Sequence, residues 1–342
     1  MIRDSTTWVI GGPKTFRLAS RKILRRWGGN LQNIEGSMRE IYIPDDGYMF
    51  SQTDQSGAEA LIVAYLCEAG AFRQLFIHGV KPHTYVAMHL FKDVWRQRMK
   101  DKIGPIPFDI DAMCSAPIAS LKSFPYWKDL SNLIKSSDDW PANERYYYLA
   151  KQTCHSSNYG IESNTFRMNI LEKSEGKIVL PKEEATRFLL IYHSLFPEIQ
   201  DWHRRLKRQV EQTNILYNLF GHPYQLTGYQ VLESQWKEIY AWIAQSTVGM
   251  ITNIAFCSLQ EFVEKEKLNW DNLINGHDSI LSQAPINEII DLGKKQKEFI
   301  EQEFISPVDN ISFRMRSETK IGLNWSNYRE GINEQGLKEI QI

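Results

Sequence analysis

Residues 48–69 read YMFSQTDQSGAEALIVAYLCEA. Tyr48 to Thr53 is a short strand-like run, whereas Ala58 to Ala69, rich in Ala, Leu, Ile and Val, suits a helix. Asp54 therefore stands at a strand-to-helix junction. Further on, Leu273-Ile274-Asn275-Gly276-His277-Asp278-Ser279-Ile280-Leu281 reads as two apolar strands joined at a polar tip, with Asn-Gly as the turn signal, so Asp278 is expected to stand exposed on a tight hairpin. Each aspartate alone reads as an ordinary turn-former. Two acids on rigid backbone features are nevertheless what two-metal phosphoryl transfer requires, since carboxylates so placed clamp Mg²⁺ ions about 4 Å apart.

Between the two acids the pattern is mostly helical from Ala71 to Glu211, interrupted by a polar, Pro- and Trp-bearing segment from about Asp93 to Asn143 that follows no clear period and reads as an insertion. A helix expected over about Glu144 to Gly160 carries Lys151, His155 and Tyr159 at four-residue intervals, so the three share one face. Such a face offers a point charge to a triphosphate and two rings to bracket a sugar and base; it also fits an ordinary helix with an exposed lysine and two packed rings. Leu216 to Leu226 resembles a hairpin around Gly221-His222-Pro223, Trp236 to Val263 a long helix, and Ile311 to Trp325 supplies a last strand. Ser5 to Asp46 reads as irregular structure with short strands.

With 342 residues, 39.9 kDa and 42% hydrophobic residues, the chain can bury one large core or two modest ones. A net charge of −1 and a pI near 6.7 give no global field for nucleic acid. The charge is uneven, however: residues 1–40 carry eight Lys/Arg against three acids, an excess of five, and a second basic cluster runs from His203 to Arg208. Cys67, Cys114, Cys154 and Cys257 form no C-x-x-C pair and are expected to be reduced thiols without structural metal. No signal-peptide pattern and no run of about 18 apolar residues appears, so a soluble, cytoplasmic protein without membrane contact is expected.

The order acid strand, Lys/aromatic helix, acid hairpin resembles the family A DNA polymerases, nearly end to end. Thr15-Phe16-Arg17-Leu18-Ala19-Ser20 and Asn30-Leu31-Gln32-Asn33-Ile34 are similar to that family's T-G-R-L-S-S and N-L-Q-N-I signatures, with a longer spacer between them. Asp54-Gln55-Ser56-Gly57-Ala58-Glu59 resembles motif A, Lys151-x-x-x-His155-x-x-x-Tyr159-Gly160 motif B, and Gly276-His277-Asp278-Ser279 motif C. Lys81-Pro82-His83 resembles the D-I-H segment, Gln245-Ser246-Thr247 the Q-G-T segment, and Gly322-Leu323-Asn324-Trp325 the closing G-x-N-W.

The resemblance implies an α+β fold: a right-hand palm with an antiparallel sheet (residues 1–66 and 213–342) and a helical fingers subdomain (residues 67–212, with the insertion at about 93–143). It implies that Asp54, Asp278 and the Gln55 carbonyl hold two Mg²⁺ ions, with Mn²⁺ as substitute, and that Lys151 assists catalysis. Ser56, Glu59, His83, Lys151, His155 and Tyr159 would contact the deoxynucleotide, Glu59 excluding a ribose 2′-hydroxyl. Arg17, Asn30, Gln32, Asn33, Gln245 and His277 would contact primer-template DNA.

The chain departs from the family pattern in places. The phosphate-binding arginine four residues before the motif B lysine is replaced by Tyr147, and Arg145 lies roughly 120° around the helix from Lys151. Motif C ends in Ser279 where the family carries Glu, and no residues match the thumb or exonuclease domain, which a separate polypeptide or a longer chain would supply. The divergent motifs suggest a replicative enzyme of a virus, working in the host cytoplasm. Two other readings stay open: a single-subunit RNA polymerase, favoured by the His-Asp-Ser form of motif C but opposed by Glu59, and a degenerate, non-catalytic DNA-binding palm.

Overall fold

The computed structural model describes residues 7–9, 13–21, 30–104, 108–226, 231 and 235–342. Of the N-terminal basic excess, Arg3, Lys22, Arg25 and Arg26 lie outside the described residues, as does most of the spacer between the first two signatures. β1 (Thr7–Val9) pairs antiparallel with β2 (Ala19–Arg21), followed by two 3-10 segments at Leu31–Asn33 and Gly36–Ile41. β3 (Tyr48–Gln55) runs two residues further than the apolar pattern predicts and ends beyond Asp54, because the ladder on both sides of it continues to that point. Gly57, at φ 60°, turns the chain into α1 (Ala58–Leu66), which stops short of the expected Ala69 at the extended Cys67.

A helical body follows: α2 (Ala71–Ile77), α3 (Pro82–Leu90), α4 (Lys92–Ile103), α5 (Ile110–Ser115), α6 (Trp127–Ser136), α7 (Tyr146–Asn158), α8 (Ser163–Lys173), α9 (Lys182–Leu195) and α10 (Pro197–Thr213). The segment without a clear period thus folds largely as α4, α5 and α6. Short helices explain the weak pattern: each buries only two or three residues, among them Trp95, Met99, Ile110, Leu130 and Ile134, all fully buried in the main core. The Trp95 indole donates to the Ala87 carbonyl at 2.7 Å, which ties α4 to α3. In the basic cluster on α10, His203 is buried, bonded to the Asn158 carbonyl at 2.8 Å and stacked on Tyr240. Arg205 donates to the Leu66 carbonyl, so part of that cluster fastens helices.

The hairpin β4 (Ile215–Tyr217) and β5 (Pro223–Gln225) precedes the long α11 (Trp236–Glu266). Then come β6 (Asp271–Asn275), β7 (Ser279–Pro285), α12 (Ile289–Ile300), the pair β8 (Glu303–Ile305) and β9 (Ser312–Arg314), β10 (Ser317–Gly322) and β11 (Lys338–Ile340). The central sheet is antiparallel throughout, in the order β11-β10-β3-β7-β6. The whole is α+β, as expected, with β3 at the middle of the sheet.

Alternation along β3 sorts its residues by face. Ser51, Thr53 and Gln55 are buried towards α12 and α11. There Gln296 accepts from the Ser51 and Thr53 hydroxyls at 2.6 and 3.0 Å and donates to Ser282 at 2.9 Å, a hydrogen-bonded polar layer beneath the strand. Phe50, Gln52 and Asp54 take the other face. A second, small core of Leu31, Phe50, Ile274, Leu281, Trp325 and Leu337 covers one end of that face. Asp54 lies at its open end.

Candidate active site

The ladder brings the two acids together. Asp54 pairs in register with Ser279 across β3 and β7, and the Gln55 N–H donates to the Asp278 carbonyl at 2.8 Å, so Asp278 adjoins the C-terminal end of β3. The hairpin tip is sharply constrained. Gly276 donates to the Ser279 carbonyl at 2.7 Å, and a Cβ on Gly276 would meet the Ser279 hydroxyl at 2.3 Å. His277 adopts a left-handed φ of 75°. Its carbonyl accepts from the Thr252 hydroxyl at 2.8 Å, which anchors the tip to α11.

Asp278 is exposed at the tip, yet its carboxyl pKa is pushed up to about 6, by desolvation first and then by the negative charge of Asp54. Crowded like charges on oxygen donors are what a hard divalent cation neutralises, and the donor set holds no thiol, so the residues fit Mg²⁺ or Mn²⁺. Among the described residues no group of three or more His, Cys, Asp and Glu could hold a metal, so carbonyl, water or substrate oxygens would have to complete a shell. Asp54 and Asp278 open onto a cavity of about 560 Å³ whose rim carries Arg39, Lys320 and Arg329.

The N-terminal signatures pack around the same tip. Gln32 donates to the Leu18 and Asn275 carbonyls at 2.9 and 2.8 Å, lies 3.5 Å from His277 Nδ1, and accepts from the Ser20 N–H. Asn30 accepts from the Ser20 hydroxyl, while Asn33 is exposed. Two residues that the sequence reading passes over complete this arrangement. Asn253 of α11 donates to the Phe16 carbonyl at 2.7 Å and accepts from Asn275 at 3.0 Å. Gly249 lies against the Thr15 carbonyl, where a Cβ would come within 2.9 Å. A glycine inside a long helical pattern was the available signal for that close approach.

Glu59 is the hub that joins this loop to α7. It accepts from Arg17 at 2.8 Å and from the Tyr159 hydroxyl at 2.5 Å, and His155 Nδ1 lies 4.0 Å away. The expected Lys151, His155, Tyr159 face is present with a gradient along it: Lys151 and His155 are exposed, whereas Tyr159, just past the last turn of α7, is buried against Glu59. Burial and Glu59 hold the Tyr159 phenol well above its ordinary pKa. The His155 pKa is lowered, by desolvation against the pull of Glu59.

His83 is half-buried, edge-on to Tyr147, and its pKa falls to about 3 through burial first, then through the charge of Lys151 and the neighbouring His155 and Lys81. It therefore offers a neutral N–H donor at neutral pH. Arg145 is engaged elsewhere, donating to the Asp138 carbonyl at 2.8 Å and lying over the Tyr148 ring. Ser56 is held by its backbone N–H to the Arg316 carbonyl. Gln55 buries its side chain, donating to Thr252 at 2.7 Å. Gln245 lines a separate cavity of about 500 Å³ together with Lys14, Tyr159, Tyr224 and Trp242. No described helix is long and apolar enough to cross a membrane.

Comparison with known proteins points to one family. The sequence profile of DNA polymerase family A matches residues 133–327, more than half of the chain. "DNA polymerase I" of Caldicellulosiruptor bescii is 21% identical over 336 residues, covering 94% of this chain and 32% of that protein. A "DNA polymerase" of Bacillus phage SP01 is 24% identical over 180 residues, 48% of this chain and 19% of that one. The chain thus spans a third or less of the length of these relatives. Among solved structures, the polymerase domain of Pol1 from M. smegmatis, in complex with DNA primer-template and dNTP, superposes with a TM-score of 0.63 over 94% of this chain and 47% of that one, at 18% identity. The fold is that of a polymerase domain.

Proposed function

We propose, from the premise that this chain belongs to DNA polymerase family A, that it is the catalytic core of a template-directed DNA polymerase, adding deoxynucleotides to a primer 3′ end. The observation that carries the reading is the meeting of Asp54 and Asp278 at one end of the sheet, with Glu59, Arg17 and the end of α7 beside them. Residues 1–66 and 213–342 act as palm and residues 67–212 as fingers. Asp54, Asp278 and the Gln55 carbonyl would hold two Mg²⁺ ions, which when bound supply charge neutralisation at the attacking and leaving oxygens.

The remaining groups bind and orient. Lys151, exposed on α7, is the point charge for the triphosphate, and neutral His83 adds an N–H donor beside it. His155 and Tyr159 flank the sugar and base of the incoming nucleotide, near Ser56. Glu59, pinned from two sides by Arg17 and Tyr159, is a rigid carboxylate where a ribose would bring its 2′-hydroxyl, which supports deoxynucleotide selection over the RNA-polymerase reading. Arg17, Asn30, Gln32, Asn33, Gln245 and His277 face the primer-template near its growing end. Grip on the duplex falls to a thumb, on a separate polypeptide or on more of the same one. The likeness to a phage polymerase supports a viral replicative role in the cytoplasm.

The test is extension of a labelled primer on a DNA template at low salt, with deoxy- or ribonucleotides, with and without Mg²⁺. Mg²⁺-dependent extension with deoxynucleotides, absent in Asp278→Asn, is the expected result. Extension with ribonucleotides at equal rate would favour RNA synthesis. Inactivity that persists when a thumb-bearing partner is added would favour a non-catalytic palm.

A further inference from the structure

We infer that Gln52 is a positioning residue for the Asp54 carboxylate, and that Trp325, near the other end of the chain, sets the orientation of Gln52. The inference rests on the reading above, in which Asp54 holds a cation. Gln52 precedes Asp54 by two residues on β3, so both side chains occupy the open face of the sheet. Its Nε2 lies 3.1 Å from Asp54 Oδ1 and 3.2 Å from Oδ2. Its Oε1 accepts from the Trp325 indole N–H at 2.9 Å.

The indole nitrogen can only donate, and an ionised carboxylate can only accept. One orientation of the amide satisfies both: oxygen to Trp325, NH₂ to Asp54. The flipped amide would set N–H against N–H and carbonyl against carboxylate. Trp325 has little freedom of its own. Its backbone N–H donates to the Tyr42 carbonyl at 3.0 Å, the Tyr42 ring meets it edge-on at 5.8 Å, and the Arg39 guanidinium lies 4.6 Å over the indole. The indole is 6% exposed and packs with Phe50 and Leu281.

A neutral amide bridging both oxygens sets the plane of the carboxylate without cancelling its charge. A lysine or arginine in its place would compete with the cation. Outer partners of this kind hold metal-ligating carboxylates in a productive pose and raise their affinity, because less side-chain freedom is lost on binding.

The experiment titrates the purified chain with Mn²⁺ alone, without DNA or nucleotide, and follows the paramagnetic resonance of free Mn²⁺. Wild type is compared with Gln52→Met, Trp325→Phe, the double variant and Asp54→Asn, with thermal midpoints recorded for each. Gln52→Met should weaken Mn²⁺ binding about tenfold and Trp325→Phe about threefold, with the double variant no weaker than Gln52→Met because Trp325 acts through Gln52. In primer extension the metal concentration for half-maximal rate should rise more than kcat falls. Unchanged Mn²⁺ affinity in Gln52→Met, with binding lost in Asp54→Asn, overturns the inference and leaves the site reading standing. Wild type and Asp54→Asn binding alike overturns both. Additive losses in the double variant overturn the role of Trp325. Should Gln52→Met not fold, Trp325→Phe decides, and unchanged affinity there counts against the inference.

Discussion

Asp278 bears a charge that its surroundings resist, and two expectations follow from that. Its folded pKa of about 6 lies above the ordinary 3.8, so between these values the folded protein keeps a proton that the unfolded chain has released. The metal-free protein should therefore lose stability relative to Asp278→Asn as pH rises from about 4 to about 6; thermal midpoints of the two proteins across that window check it. Divalent-cation affinity has the opposite trend and should fall as pH drops below about 6, since the proton competes for the same oxygens. Asp54→Ala and Asp278→Ala should each reduce primer extension to about one thousandth or less, with folding largely retained. Glu59→Ala should raise ribonucleotide incorporation relative to deoxynucleotide about tenfold or more, measured as the ratio of kcat/KM values.

At the scale of elements, α11 matters as the surface against which separate pieces of the site are pressed. Thr252 holds the hairpin tip, Asn253 the loop at Phe16, and Gly249 lets the Thr15 carbonyl approach the helix. Glycine to alanine inside a helix ordinarily stabilises by about 0.5–1 kcal/mol. Gly249→Ala should instead push the loop that carries Arg17 away from Glu59. Primer extension should drop about tenfold while α11 itself is unharmed, a combination that thermal unfolding and extension assays together would distinguish from general destabilisation.

Across the described residues, one main core runs from the helices behind the sheet through the helical body, so α4, α5 and α6 of the polar-looking segment are part of the frame. Trp95 is fully buried and bonded to Ala87. Trp95→Ala should cost about 3–5 kcal/mol in chemical denaturation, where the same change in a loosely attached surface insertion would cost under about 1 kcal/mol. Within that frame α7 packs on α3 and α9 and leaves Lys151 and His155 exposed.

Much of this was legible in residue order. The apolar run before Asp54, the Asn-Gly hairpin around Asp278 and the four-residue spacing of Lys151, His155 and Tyr159 are local patterns, set by strand alternation, turn chemistry and helix period, and each element appears where its pattern lies. Local pattern has no means to express contacts between distant residues. The clamp of Arg17 and Tyr159 on Glu59, the dependence of Asp54 on Gln52 and Trp325, and the diversion of Arg145 to Asp138 each join residues through hydrogen bonds whose geometry exists only once the sheet and helices have packed. The sequence by itself determined which side chains were present and on which face of each element they stood; the tertiary structure decided which of them met, because a hydrogen bond is a matter of a few tenths of an ångström and only packing sets distances that finely.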